Sequence, residues 1–207
     1  MAVSSQKMKK GIIITLSGLD GTGKSTQINL LEKKLSQYGE TYVTSVFGYF
    51  LLQPILTFIR KSNGKKSIGP VKRNTHFLLK LWCFPALLDF WIIYLVKILP
   101  LKEKYRFVLC DRYFDDLAIN ICYYGYMPRF LFPLYIRLLP PQEIGFYLEL
   151  DIKKARARAG EFSLEYYSQQ SKLYQTLKHK LNPIYVSSII KTSNLLLRYI
   201  KKKMHES

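Results

Sequence analysis

Residues 18–25 read Gly-Leu-Asp-Gly-Thr-Gly-Lys-Ser and satisfy the spacing G-x-x-x-x-G-K-[ST]. Glycines let a chain turn tightly enough for several backbone N–H groups to converge on one anion, with no Cβ in the way. A helix opening directly after the loop adds the positive end of its dipole. In such a loop Gly18, Leu19, Asp20, Gly21, Thr22, Gly23, Lys24, Ser25 and Thr26 would surround the phosphates of ATP. Lys24 would reach the β- and γ-phosphates, and the Ser25 hydroxyl would bind Mg²⁺. The competing reading is an ordinary glycine-rich turn before a helix. Context weighs against it: the loop follows the apolar run IIITL (12–16) and precedes Ile28, Leu31 and Leu35 at helical spacing.

A second cluster lies at 111–120, DRYFDDLAIN. Asp111 ends the apolar run FVLC (107–110). Parallel sheets gather ligands at the C-terminal edge, so a carboxylate there is placed to hold Mg²⁺ through water. It could also cap the following helix, and the two roles are compatible. The planar fork of Arg112 suits a phosphate, with a plain ion pair to Asp115 or Asp116 as the alternative. Asp115 and Asp116 themselves either grip hydroxyls or amines of an acceptor or act as first-turn acids on a helix dipole.

These groups need a frame. Short runs rich in β-branched and aromatic residues recur at 12–16, 42–47, 107–110, 144–150 and 184–188, separated by helical stretches at 26–38, 72–99 and 162–180. Apolar strands alternating with helices predict a three-layer α/β fold, a five-stranded parallel sheet covered on both faces. No linker or repeat divides residues 1–207, so one domain is expected, large enough to bury a core without disulfides or structural metal. Cys83, Cys110 and Cys122 show no C-x-x-C spacing. That usage suits a reducing, cytoplasmic setting and makes Cys110 a small buried hydrophobe. The first residues lack the apolar length of a signal peptide.

The formal net charge is +18. Arg60, Lys61, Lys65, Lys66, Lys72 and Arg73 form one acid-free run, and Arg198, Lys201, Lys202 and Lys203 form another. Such surfaces attract anionic lipid, nucleic acid or phosphorylated small molecules, or simply face water. No nucleic-acid-binding signature accompanies them, so specific nucleic-acid binding is not expected.

Taken together, GLDGTGKST (18–26), VLCDRY (108–113) and FYLELDIKKARAR (146–158), followed by a short lid (about 159–172) and a helix carrying Tyr174, resemble the thymidylate kinase family over roughly the whole chain. The resemblance implies a P-loop kinase that transfers the γ-phosphate of ATP, with Mg²⁺, to a nucleoside monophosphate such as dTMP. It implies catalytic roles for Lys24, Arg112 and Arg158. Asp20 would accept a hydrogen bond from an acceptor sugar hydroxyl, and Arg112 would clamp the acceptor phosphate. Arg158 would lie against the adenine or near the transferring phosphate, or else be a solvated arginine on a basic helix face. A homodimer through the helix before DRY also follows from the resemblance.

The acceptor side departs from the family. An arginine after the second strand is replaced by SVFGYF (45–50), and an arginine about twenty residues before DRY by Phe90 or Trp91 in FPALLDFWII (84–93). Neither the P-loop nor AGEFSLEYYSQQSK (159–172) supplies an arginine. With YMPRF (126–130) after DRYFDD, Asp116 and Arg129 become candidates for a rewritten acceptor pocket. Residues 81–101 carry only Asp89 and Lys97 as charges, a pattern for burial, a partner or lipid. That stretch and RFLFPLYIRLLPP (129–141) keep peripheral contact with an anionic membrane open. Two alternatives to nucleotide phosphorylation therefore stand: a membrane-peripheral kinase of a hydroxyl-bearing acceptor, and a nucleotide-binding switch with weak transfer.

Overall fold

The computed structural model describes residues 11–47, 78–160, 162–186 and 188–206; the basic run at 60–73 lies outside them. In chain order the elements are β1 (Ile12–Ser17), α1 (Lys24–Leu35), β2 (Thr41–Thr44), α2 (Cys83–Ile93), α3 (Leu99–Lys104), β3 (Phe107–Asp111), α4 (Phe114–Tyr123), α5 (Phe132–Arg137), β4 (Ile144–Glu149), α6 (Ile152–Ala159), α7 (Leu164–Gln175), β5 (Asn182–Tyr185) and α8 (Ile189–Glu206). The strands form one sheet in the order β2-β3-β1-β4-β5, and every neighbouring pair is parallel. Because β1 is central and flanked on both faces, all six of its residues are buried, including Thr15 and Ser17. The expected three-layer α/β architecture is present.

Registers place the chemistry at one edge. Leu16 pairs with Asp111 across β1 and β3, and Ser17 pairs with Tyr147 across β1 and β4. The P-loop leaves β1 where Asp111 leaves β3. The outer strands differ from expectation. The second ends at Thr44 instead of reaching residue 47, which frees Ser45 and Phe47 to face the cleft. The fifth begins at Asn182 and contains Pro183, tolerable on an edge where one side of the strand needs no donor.

The apolar segment before DRY runs from a 3₁₀ turn (Leu78–Trp82) through α2, a π turn (Tyr94–Ile98) and α3. Pro100 has no amide to give the carbonyl of Val96, and the wide turn lies across that gap. The segment's two internal charges point inward: Asp89 is buried, and Lys97 donates to the Ser45 carbonyl at 3.1 Å. Leu81, Phe84, Leu88, Trp91, Ile92, Leu95 and Val96 point outward. Leu79–Lys104 is long and apolar enough to cross a membrane by length and composition, although a third of its most apolar window is buried in the protein. The expected lid is mostly helix, since α7 begins at Leu164 behind a Ser163 cap that accepts from the Tyr166 amide at 3.2 Å.

Candidate active site

The P-loop is built from left-handed glycines: φ is 83° at Gly21 and 89° at Gly23, which stands as the N-cap of α1. At Gly21 the need is also steric. A Cβ there would stand 2.2 Å from the Ala155 carbonyl oxygen of α6. The loop is thus wedged against the LDIKKARAR segment, which brings Arg158 to the same cleft. That cleft has a volume of about 740 Å³ and is lined by the P-loop, Asp111, Arg112 and Arg158, with Phe47 and Ile189 among its apolar walls.

Lys24 is buried, and its Nζ donates to the Gly18 carbonyl at 2.9 Å and the Leu19 carbonyl at 2.8 Å. Burial draws its pKa downward, while the carboxylates of Asp116 and Asp111 act in the opposite sense. Ser25 Oγ donates to Asp111 Oδ2 at 2.6 Å, so the hydroxyl and carboxylate expected at a metal stand side by side. Among the described residues, no group of three or more His, Cys, Asp or Glu is arranged to hold a metal.

Arg112 is the one described non-glycine residue with positive φ, 70°. Its amide still donates to Leu16 O at 3.1 Å, extending the ladder, before the chain turns into α4. A left-handed arginine costs roughly 1 kcal/mol or more, a strain typical of functional sites. The turn carries the guanidinium over the Phe47 ring, 5.2 Å from its centroid, and into an ion pair with Asp20. Arg112 Nη1 also lies 3.9 Å from Asp116. The ion pair with Asp116 is one of the two alternatives read from sequence, at the long distance of 3.9 Å; the nearer partner, the P-loop Asp20, was not among them.

Asp116 does not line the cleft. Its carboxylate is 1% exposed and accepts from Ser17 Oγ (2.7 Å), the Gly18 amide (3.3 Å), the Tyr113 amide (3.0 Å) and Tyr174 Oη (2.5 Å). Its bond from the Tyr113 amide satisfies the N-cap of α4, and its other bonds tie that helix to β1, the P-loop and α7. The acceptor role expected of it gives way to this one, because four donors occupy it and no face is open. Asp115 is likewise buried, paired with Lys180 at 2.9 Å and accepting from Gln142 at 3.1 Å; burial raises its pKa against the pull of Lys180. Arg129 is exposed, in the turn Arg129–Leu131, and is not among the residues lining the cleft. Of the two residues expected at the place of a family arginine, Phe90 is fully buried against Phe114 (5.2 Å) and Tyr135 (6.5 Å), and Trp91 is about one-third exposed on the outward face.

Sequence reasoning missed Ser45, Phe47, Gln27, Val186 and Ile189 as cleft residues. Phe47 fell inside the strand expected at 42–47, which hid it as a cleft residue. Gln27 carried no signal: its amide bonds the Ile189 carbonyl at 3.0 Å, 162 residues away.

A glycine-rich loop between a central parallel strand and a helix, with lysine, serine, aspartate and two arginines converging on its cleft, defines a P-loop kinase. No protein-family model matches the chain. The thymidylate kinase of Halothermothrix orenii is 30% identical over 164 residues, spanning 74% of this chain and 72% of that one. That of Ehrlichia chaffeensis is 27% identical over 166 residues, spanning 75% and 74%. Among solved structures, thymidylate kinase from Ehrlichia chaffeensis superposes with a TM-score of 0.59 at 18% identity, covering 93% of this chain and all of that one. Thymidylate kinase from Candida albicans gives 0.67 at 16% identity, covering 96% and 94%, and these two likenesses bear on the fold. The chain belongs to the thymidylate kinase family, as a divergent member and a nucleoside monophosphate kinase.

Proposed function

We propose that the chain transfers the γ-phosphate of ATP to dTMP or a closely related nucleoside monophosphate, giving ADP and the diphosphate. The observation that supports this reading is the convergence of Lys24, Arg112 and Arg158 on one cleft that also holds the P-loop glycines. Phosphoryl transfer needs in-line positioning and charge neutralisation more than covalent chemistry, and three cations around one cleft supply both. Lys24 serves the donor phosphates. Arg112 takes the acceptor phosphate, exchanging Asp20 for it, and Asp20 is then free to accept from an acceptor hydroxyl. Arg158 neutralises charge on the open side. Ser25 Oγ and the Asp111 carboxylate are hard oxygen donors 2.6 Å apart, a set that fits Mg²⁺ bound mainly by phosphates and water. Held by these two side chains, Mg²⁺ would neutralise charge on the donor phosphates.

With Phe90 or Trp91 in place of a family arginine, acceptor affinity leans on Arg112, and dTMP binds less tightly than where two arginines hold it. The outward face Leu81, Phe84, Leu88, Trp91, Ile92 and Leu95 packs against a second copy in a cytoplasmic homodimer of single-domain chains. The test is ADP release from Mg-ATP with dTMP and the other nucleoside monophosphates in parallel. Stimulation by dTMP supports the reading. Turnover insensitive to every nucleotide would replace it with the nucleotide-binding switch, and stimulation confined to hydroxyl-bearing lipids or sugars would replace the acceptor class.

A further inference from the structure

Lys97 is one of the two charges in residues 81–101, an otherwise uncharged and strongly apolar stretch. A lysine in such a stretch ordinarily lays its stem along apolar surface and keeps its ammonium in water. This one is turned inward. Its Nζ donates to the Ser45 carbonyl at 3.1 Å, 52 residues earlier in the chain.

The position of that carbonyl gives the bond a consequence. The β2–β3 ladder ends with Thr44 opposite Cys110, so Ser45 is the first residue past the support of the sheet. Ser45, Val46 and Phe47 then form a short wall: Val46 is fully buried, while Ser45 and Phe47 line the cleft. Ser45 Oγ accepts from the Phe47 amide at 3.2 Å, which fixes the turn between them. The Phe47 ring lies 5.2 Å from the Arg112 guanidinium, and Arg112 leaves β3 in a left-handed conformation. A ring face beside a guanidinium restricts the directions in which its fork can point.

We propose that Lys97 is a positioning residue for the acceptor side of the cleft. By holding the Ser45 carbonyl it fixes the 45–47 wall, and through the Phe47 ring it sets the direction in which Arg112 presents its fork. The contacts run from Lys97 to Ser45, Phe47 and Arg112, with no member in the P-loop. Ser45 to Phe47, at the start of the stretch where a family arginine is absent, thus keep a part in holding the acceptor without a cation of their own. This rests on Arg112 taking the acceptor phosphate, as proposed above.

The experiment is steady-state kinetics of the wild-type chain, Lys97→Met, Lys97→Arg, Phe47→Leu and the Lys97→Met, Phe47→Leu double variant, with a melting curve of each. The KM for dTMP, or for the nucleoside monophosphate the wild type uses best, is measured beside the KM for Mg-ATP. Lys97→Met keeps the apolar stem and removes the donors. It is expected to raise the acceptor KM about tenfold and leave the Mg-ATP KM within twofold. Lys97→Arg, which keeps donors, is expected to recover most of that loss. In the Phe47→Leu background, Lys97→Met is expected to add less than twofold, because the ring through which it acts is gone. If Lys97→Met melts too low to assay, Phe47→Leu decides, and an acceptor KM within twofold of wild type there would overturn the inference. A wild-type chain that turns over with no nucleoside monophosphate would overturn the acceptor reading itself. With the wild type active, an acceptor KM unchanged within twofold in Lys97→Met would overturn this inference alone, as would equal rises in both KM values or the same loss in both backgrounds.

Discussion

Replacing Asp116 by asparagine separates a structural junction from a substrate contact with a change of one atom. The carboxylate serves donors in two pairs. Oδ2 takes Ser17 Oγ and the Tyr113 amide, and Oδ1 takes the Gly18 amide and Tyr174 Oη. An asparagine must turn its NH₂ toward one pair. The less costly choice is the Oδ1 side, because the Gly18 bond is the longest at 3.3 Å and the Tyr174 hydroxyl can rotate toward Gly18 O. One buried backbone N–H then faces another donor, about 1–3 kcal/mol, and the surviving bonds lose their charge assistance, about 1 kcal/mol more. The sum, about 2–4 kcal/mol, lowers the melting temperature by roughly 5–15 °C for a domain of this size. Circular dichroism melts with a urea series measure it. Relative kcat/KM values across nucleoside monophosphates are expected to stay constant, because the group does not line the cleft. An Asn variant that melts within about 1 °C of wild type, or that changes its acceptor ranking, would refute the reasoning.

Two other outcomes can be checked directly. Gly21→Ala puts a Cβ 2.2 Å from the Ala155 carbonyl in a backbone held at φ 83°, so the loop must shift. The expected result is at least tenfold weaker Mg-ATP binding with an unchanged far-UV spectrum, and wild-type affinity would mean the wedge yields freely. The buried thiol of Cys110 is pushed up to about 12 by burial, whereas the unfolded thiol ionises near its ordinary value of 9.0. Above that ordinary value the unfolded state loses a proton the folded state keeps. Stability therefore falls with rising pH, by up to about 1.4 kcal/mol per unit from this group. Urea melts of wild type and Cys110→Ala between pH 8 and 10.5 are expected to differ in slope by that amount, and parallel slopes would place the thiol in contact with water.

The donor half of the site was legible because it is local. Gly18 to Ser25 lie within one loop, and a strand before it with a helix after it suffices to say where the loop must go. Asp111 and Arg112 could be placed because a parallel sheet brings strand ends to one edge. Asp116 was legible only as two competing roles. What decides between them is that Ser17, Gly18 and Tyr174 converge on it from separate elements, and sequence spacing does not encode that convergence. The second strand's early end was equally hidden, since Ser45–Phe47 carries the same apolar character whether it pairs or lines a cleft. In residues 81–101 composition gave the apolar character, while the inward turn of Asp89 and Lys97 depends on packing.

That inward turn leaves Trp91 about one-third exposed on the outward face, with its indole N–H donating to the Leu138 carbonyl at 2.9 Å and its ring edge-on to Tyr94 at 5.7 Å. The chain has one other tryptophan, Trp82, which packs against the core. Trp91 is thus a built-in fluorophore at the surface where a second copy would sit. Its indole is already oriented by a hydrogen bond, so covering the face changes the polarity around the ring more than its geometry. Emission from a Trp82→Phe chain would move to shorter wavelength as the face is covered, and iodide quenching would fall with it. The proposed homodimer can therefore be tested optically at the concentrations used for kinetics, without attaching a label.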